Sequence, residues 1–181
     1  MERLTKEQLS ILDLSLIEWY YEQASIRHND LIRVESLITE RGYTLFATYF
    51  AILTAAIGYI LTHLSVKDDV ALTAGCLAII TFTLISIGYI SQVIKPHFFI
   101  PAGKEPERFT IPQYIEYFKR CKDVEQKKQV ICDELFTLQA KITQQDEWNN
   151  KRAKQTKISL RFLVFGSLMA VVSFLIAFAI Y

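Results

Sequence analysis

The side chains best suited to chemistry in this chain are basic residues that lie beside long apolar runs. Arginine can donate two parallel hydrogen bonds to a phosphate, so a group of such residues suits an anionic ligand such as a nucleotide or short oligonucleotide. The candidate ligand-binding residues are Arg27, His28, Arg33, Arg41, Lys151, Arg152, Lys154 and Arg161. A second explanation fits the same residues, because basic residues next to membrane spans set orientation and attract anionic lipid headgroups.

Motifs for catalysis and for metal binding are absent from the sequence. Cys121 and Cys132 lie eleven residues apart without partnering histidines, Cys76 stands alone in an apolar run, and the three histidines share no ligand spacing. No GxSxG, HExxH or glycine-rich phosphate loop occurs. We therefore expect neither an enzyme nor a bound metal or cofactor.

Three long uncharged apolar runs dominate the sequence, at residues 43–64, 70–94 and 162–181. A helix of roughly 20 apolar residues spans the hydrocarbon layer of a bilayer. The alternative is that such runs are buried helices of a soluble protein. Because all three runs reach full span length, we predict an all-α integral membrane protein with three transmembrane helices and long cytoplasmic helical arms, assembled as a homo-oligomer.

The basic residues predict the orientation. Of the 20 Lys and Arg residues, 19 lie before residue 43 or between residues 95 and 161, and only Lys67 occupies the turn between the first two runs. Basic residues near span ends stay in the cytoplasm. We expect a multi-pass protein of the bacterial inner membrane, with its N-terminus and central region cytoplasmic and its C-terminus outside.

The chain divides by composition into five segments. Residues 1–42 form a cytoplasmic helix that starts near the Thr5–Gln8 capping box, with a possible bend at residues 28–30, and residues 43–94 form a membrane hairpin. Residues 95–111 are a juxtamembrane loop, and Pro112 opens a coiled cytoplasmic helix over residues 112–157, either unbroken or with one break at residues 144–150. Residues 158–181 form the third transmembrane helix.

Two patterns predict helix contacts. Ala47, Ala51 and Ala55 form a small-residue ridge on which another helix can approach closely, and the predicted pore-lining residues on this helix are Thr44, Thr48, Ala51 and Ala55. Hydroxyls in a span can instead bond to their own backbone one turn earlier. Alternating spacings of four and three predict a coiled-coil seam with a polar continuation, at Ile131, Leu135, Leu138, Ile142, Gln145, Asn149 and Arg152. In the first arm, Leu9, Leu12, Leu16, Trp19 and Tyr20 recur at helical spacing, and we expect them to pack against the other cytoplasmic helix, with a membrane-surface or ligand role as the alternative.

Residues 9–41, the uncharged hairpin of residues 43–94 and the arm of residues 110–157 together resemble the SLATT group of bacterial two-span effectors, which act beside nucleotide-synthesising or nucleotide-sensing proteins in antiphage defence. The third run departs from the two-span pattern. The layout also resembles, less closely, the channel effector of the Hailong defence system, a homotetramer paired with a nucleotidyltransferase whose oligonucleotide product holds it shut. Both resemblances imply an oligomeric pore that collapses the membrane gradient.

Three functions are compatible with the sequence. The first is a homo-oligomeric ion channel gated by an anionic nucleotide or oligonucleotide at a ring of basic residues at its cytoplasmic mouth, because one chain with three spans cannot enclose a water path. The second is a membrane-anchored scaffold whose coiled arm recruits a partner protein. The third is a holin-like lytic protein. We favour the channel, since a scaffold has no need for two uncharged spans that carry threonine and alanine.

Overall fold

The computed structural model describes residues 11–63, 70–95 and 123–180, and these residues are almost entirely helical. The helices are α1 (Leu14–His63), α2 (Val70–Ile94) and α3 (Asp123–Ile180). Each contains a stretch long and apolar enough to cross a membrane. This confirms the prediction of an all-α protein with three helices able to span a bilayer.

Two of the helices run across boundaries between the segments predicted from composition. α1 passes through residues 28–30 and residue 42 in one helix, and α3 passes through residues 144–150 and residue 157. No proline lies in either helix to remove a backbone donor, which explains why neither is interrupted. The segment boundaries at residues 42 and 157 therefore mark changes of composition within continuous helices. The expected helix starts at residues 5–8 and 110–112 lie outside the described residues.

The chain divides into two compact units. The arm unit comprises Met1–Val34 with Phe98–Glu147, and the membrane unit comprises Glu35–His97 with Trp148–Tyr181. The arm unit holds the first part of α1 and the first part of α3, whereas the membrane unit holds all of α2 and the later parts of α1 and α3.

One apolar cluster is buried among residues 11–34 and 123–147 of the arm unit. Ile17 and Cys132 are buried against each other, with Leu12, Ile131 and Leu135 packed around them. The expected packing of the aromatic stripe is wrong for its later members, because Leu16, Trp19 and Tyr20 are about half exposed. Ile17, one position along, takes the buried place. Further along α3, Leu138 and Ile142 are buried, in phase with the apolar seam of the sequence.

The membrane unit has an apolar core and an apolar surface. Tyr49, Ile90 and Val93 are completely buried and form a cluster that also includes residues of all three helices around them. Large apolar side chains cover the outside of the same helices, for example Phe50 on α1, Leu84 on α2 and Leu168 on α3. An apolar exterior at this density is what a lipid-facing surface requires and what a water-facing one avoids.

Candidate functional site

Arg152 on α3 is a buried cation of the membrane unit, only 3% exposed, whose guanidinium makes several hydrogen bonds. Its Nε donates to the Val93 carbonyl of α2 at 2.9 Å, and its Nη2 donates to the same oxygen. Nη1 contacts the Glu35 carboxylate of α1 at 3.2 Å, and Nη2 donates to Thr39 Oγ1 at 2.7 Å. One guanidinium therefore joins all three helices, and we call Arg152, Glu35, Thr39 and Val93 the arginine clamp.

The clamp meets a backbone requirement of α2. Val93 is one residue from the end of a helix that stops at Ile94, so its carbonyl is among the last four, which receive no amide donor from within the helix. In a buried position an unpaired carbonyl is costly, and Arg152 supplies two donors to it. Thr39 in turn donates to the Glu35 carbonyl at 2.8 Å, which orients its oxygen toward the guanidinium. The role of Arg152 in binding a ligand stays a prediction. Within a single chain the guanidinium donates to Val93, Glu35 and Thr39.

A second polar contact lies deeper in the membrane unit. Ser159 Oγ on α3 is 2.9 Å from the Ser86 carbonyl on α2, and Ser86 Oγ is 3.1 Å from the Ser159 carbonyl. Ser159 Oγ is also 3.1 Å from the Tyr49 hydroxyl on α1. All three residues are completely buried. Small side chains at this crossing allow the backbones of α2 and α3 to approach closely, as packing between membrane helices requires.

Two glycine contacts extend this close packing along the α2–α3 interface. A Cβ atom added to Gly166 would lie 2.5 Å from Phe82 Cβ, and one added to Gly75 would lie 3.3 Å from the Ala170 carbonyl oxygen. Phe82 also meets Phe165 edge-on, with 5.6 Å between ring centroids. Glycine is therefore favoured at positions 166 and 75, because the neighbouring helix occupies the space that a side chain would need.

The seam predicted on α3 ends at Arg152, but the buried positions continue beyond it with the same spacing. The buried residues Ser159 and Gly166 follow Arg152 at intervals of seven, and Ala170 follows Asn149 at three such intervals. These small residues carry no hydrophobic signal against an apolar background, which is why the pattern was missed. Extending the alternating spacing of four and three into the third apolar run finds them.

Most of the hydroxyls of the membrane helices bond to their own backbone one turn earlier, which was the alternative to lining a pore. Thr44 Oγ1 donates to the Glu40 carbonyl at 3.1 Å, and Thr48 Oγ1 donates to the Thr44 carbonyl at 2.9 Å. Thr54, Thr62, Thr81 and Ser167 make the same type of bond one turn back. Among the described residues Ser159 bonds across the helices instead, and the hydroxyl oxygen of Thr83 is buried without a partner.

The predicted pore-lining residues share one exposed face of α1. Thr44, Thr48, Ala51 and Ala55 are all exposed, while the buried residues Tyr49, Leu53 and Ala56 lie on the opposite side of the helix. The exposed set continues through Gly58, around which a Cβ would meet nothing within 4 Å, to Thr62. We call these six positions the small-residue face of α1. Their role in lining a pore stays a prediction.

The predicted ligand-binding residues differ in exposure. In the arm unit Arg27 and Arg33 are exposed and His28 is buried, and in the membrane unit Arg152 is buried. The other members in the membrane unit are exposed, namely Arg41, Lys151, Lys154 and Arg161. The Lys151 ammonium lies over the Trp148 ring, 5.5 Å from its centroid. Arg161 borders a shallow groove of about 390 Å³ on α3, lined otherwise by Leu160, Val164, Phe165 and Leu168.

His28 is a buried titratable group of the arm unit. It is 1% exposed, and its Nδ1 has no hydrogen-bond partner within the described part of the chain. Burial lowers the pKa of His28 below its ordinary value of 6.5, and the positive charge of Lys141 lowers it further. The imidazole is therefore neutral at pH 7. Burial also raises the pKa of the Cys132 thiol, so this cysteine is an inert core residue at neutral pH.

Within residues 11–63, 70–95 and 123–180, no three His, Cys, Asp or Glu side chains gather where they could hold a metal ion. Comparisons with protein-family models, with curated proteins and with solved structures find no match to this chain. The class that fold and site define is an all-helical protein with three helices able to span a membrane, locked together by a buried arginine.

Proposed function

We propose that this chain is one subunit of a homo-oligomeric membrane channel, an effector of bacterial antiphage defence that an anionic nucleotide or short oligonucleotide gates from the cytoplasmic side. In this proposal the N-terminus and arms are cytoplasmic and the C-terminus is outside. A nucleotidyltransferase is the kind of partner that would supply the ligand. The open channel would collapse the gradient across the inner membrane.

The observation that carries the proposal is the small-residue face of α1. Lipid gives no reason to gather Thr, Ala and Gly along one exposed face, whereas helix contacts between subunits favour small residues. The three helices of one chain pack against each other through other faces, with a filled core at Tyr49, Ile90 and Val93. Conduction therefore needs several copies, and the small-residue face of α1 is available for contact with them.

The ligand half of the proposal is supported by exposed cations. Arg41, Lys151 and Lys154 are exposed in the membrane unit, as are Arg27 and Arg33 in the arm unit. In a ring of subunits each position would repeat once per subunit, which multiplies the positive charge offered to a phosphate. Arginine and lysine at such positions attract anionic lipid as well, so the experiment must separate the two.

Planar-bilayer recording of the purified protein tests the channel. We expect step conductances that change when cyclic dinucleotides or single-stranded oligonucleotides are added on the arm side. Thr48→Leu fills the small-residue face of α1 and should reduce assembly and conductance. Thr81→Leu is the matched control, since Thr81 is also exposed and makes the same backbone bond, to Leu77. Absence of conductance under every nucleotide condition, or equal effects of both variants, would contradict the proposal.

The gating ligand is tested with Arg41→Gln combined with Lys154→Gln. The pair should weaken the nucleotide response in bilayers of purely zwitterionic lipid, where anionic headgroups are absent. Lys127→Gln removes one charge from the arm unit and serves as the control. A response that persists in the paired variant, and that varies only with the content of anionic lipid, would show that these residues bind headgroups instead of nucleotide.

A specific observation also favours the scaffold as a second function. Trp19 and Tyr20 are about half exposed and meet edge-on, with ring centroids 5.1 Å apart, beside the exposed Leu16. Exposed aromatic residues on a polar helix are typical of a protein-binding surface. Trp19→Ala with Leu16→Ala should then abolish recruitment of a partner protein without changing membrane conductance.

A further inference from the structure

The packing of α2 against α3 fixes the depth of each residue of α3 relative to the uncharged hairpin. Two contacts define the register, the reciprocal bonds between Ser86 and Ser159 and the close approach of Gly75 to the Ala170 carbonyl. Ser86 and Gly75 are eleven residues apart, and so are Ser159 and Ala170. The two helices are therefore antiparallel with no shift of register between the two contacts.

This register places Arg161 deep in the membrane unit. Arg161 is two residues beyond Ser159 and lies level with about Leu84, which is ten residues from the end of α2 at Ile94. At 1.5 Å per residue, Arg161 lies about 15 Å along the axis from that end, near the middle of α2. In the sequence Arg161 directly precedes the third apolar run, which predicts a position at the membrane surface. Packing draws it inward by about half of the bilayer's hydrocarbon thickness.

Arg161 belongs to an exposed stripe that repeats every three or four residues along α3. Lys154, Lys157 and Arg161 form its basic part, and all three are exposed. The apolar continuation is Val164, Leu168, Val171 and Leu175, which are 57–60% exposed. Ser159, Gly166 and Ala170, which face α2, lie on the opposite side of the helix. We call the exposed positions the free stripe of α3.

A cation at this depth has a high free energy if it faces hydrocarbon. Charged side chains inside a membrane point to the interior of a bundle or to a water-filled cavity, and snorkelling to the surface serves residues near helix ends. The interior of the bundle is occupied, because Tyr49, Ser86 and Ser159 fill it at the same level. What remains for Lys157 and Arg161 is water enclosed between several copies of the chain.

We propose that the free stripe of α3 lines the conduit of the assembled channel, where Lys157 and Arg161 form rings that select small inorganic anions such as chloride. This inference rests on the proposed function as a homo-oligomeric channel. Rings of Arg and Lys are a known basis of anion selectivity in pores. Val164, Leu168 and Val171 then form an apolar constriction that closes by dewetting. The small-residue face of α1 becomes the contact between neighbouring subunits.

Reversal potentials across a KCl gradient test the proposal. The wild-type channel should favour chloride over potassium. Arg161→Gln should move the reversal potential toward that of potassium, Arg161→Glu should change its sign, and Arg161→Lys should keep the wild-type selectivity. Lys127→Gln, in the arm unit, is the control for loss of one positive charge and should leave the reversal potential unchanged.

The outcomes separate this inference from the proposed function. No conductance from the wild-type protein overturns the channel itself. Conductance whose selectivity is the same in wild type, Arg161→Gln and Arg161→Glu leaves the channel standing and overturns the assignment of the free stripe. Loss of co-purified phosphatidylglycerol from Arg161→Gln, with an unchanged reversal potential, also overturns it, because Arg161 would then hold a lipid headgroup at the groove of Leu160 and Phe165.

A second measurement covers the case in which the Arg161 variants do not assemble. Val164→Cys, in a chain whose three native cysteines are replaced by serine, keeps every charge. A water-soluble methanethiosulfonate reagent should block its current, because residue 164 would line water in the open channel. Current that is insensitive to the reagent, in a channel that conducts normally, places residue 164 against lipid and overturns the proposal.

Discussion

Arg152→Ala is the sharpest test of what holds the three membrane helices together. The substitution removes the guanidinium that joins Glu35 and Thr39 on α1 to the Val93 carbonyl on α2. The Val93 carbonyl lies at the end of its helix and would lose both of its clamp donors. The Glu35 carboxylate would keep its charge and lose its contact with the guanidinium.

The magnitude follows from burial. Breaking a buried ion pair by removal of one partner costs about 3–5 kcal/mol, and a hydrogen bond to a charged group contributes about 1.5–3 kcal/mol. The Arg152 side chain is 4% exposed but that of Glu35 is 25% exposed, so water can partly solvate the Glu35 carboxylate when the guanidinium is removed. We therefore expect Arg152→Ala to lower the free energy of unfolding by about 2–4 kcal/mol.

Two further variants separate charge from geometry. Arg152→Lys keeps the charge but cannot reach Val93, Glu35 and Thr39 together, because lysine lacks the planar fork of arginine. It should recover less than half of the loss. Arg152→Met combined with Glu35→Leu removes both charges, and replacement of a buried pair by apolar groups is often nearly neutral. The double variant should be more stable than Arg152→Ala alone.

The assay is equilibrium unfolding in mixed micelles, followed by far-ultraviolet circular dichroism and by tryptophan fluorescence. A double-mutant cycle between Arg152→Ala and Glu35→Ala gives the coupling energy of the pair. A loss below about 0.5 kcal/mol for Arg152→Ala, which is typical of surface substitutions, would refute the reasoning. Strict additivity in the cycle would show that the clamp does not act as one unit.

Three further predictions concern packing and pH. Gly166→Ala should destabilise the membrane unit by about 1–3 kcal/mol, because its Cβ would overlap Phe82, while Gly88→Ala, where a Cβ meets nothing within 4 Å, should be neutral or stabilising in the same micelle assay. Ser159→Ala should cost about 0.6–1.7 kcal/mol in that assay, the range measured for hydrogen bonds between membrane helices. His28 should make the arm unit less stable at acid pH, because the pKa of His28 is lower in the folded than in the unfolded chain. The contribution of His28 to the free energy of unfolding is complete above pH 6.5 and is lost as the pH falls from 6.5 toward the folded pKa. Thermal unfolding from pH 8 to pH 5 checks this, and His28→Leu should remove that part of the pH dependence.

Hydrophobic run length was enough to predict the fold class. Residues 43–64, 70–94 and 162–181 each carry a full span without a charge, and the three helices that contain them are long and apolar enough to cross a membrane. Helix ends and partners were harder to predict. The absence of proline between residues 113 and 181 was compatible with one helix or with a break at residues 144–150, and the described part of the second arm is one unbroken helix. The absence of proline could not indicate which face would be buried.

The arginine clamp escaped prediction for a physical reason. Arg152 was grouped with Lys151 and Lys154 because charge and position along the chain are what a sequence displays. Only its phase in the seam, three residues after Asn149, distinguishes it from its exposed neighbours. Its partners Glu35 and Val93 are 117 and 59 residues away in sequence. Neither local propensity nor charge count contains information about contacts at that separation.

The depth of Arg161 shows how packing and lipid compete for the position of α3. Placed by hydropathy, the helix would centre residues 162–181 in the bilayer and leave Arg161 at the surface. Placed by Ser86 and Ser159, it draws Lys157 and Arg161 inward, and Arg161, near the middle of α2, would cost about 2.5–3.5 kcal/mol if it faced lipid. Hydrogen bonds between membrane helices average only about 0.6 kcal/mol each, so the serine contacts alone cannot offset such a charge. The arginine clamp holds the same register, and water that reached Arg161 would remove the cost of exposing it to lipid. In the channel proposed above the ring of subunits would supply that water, and we then expect the deep register of α3 to form with the oligomer and to be lost when the ring dissociates.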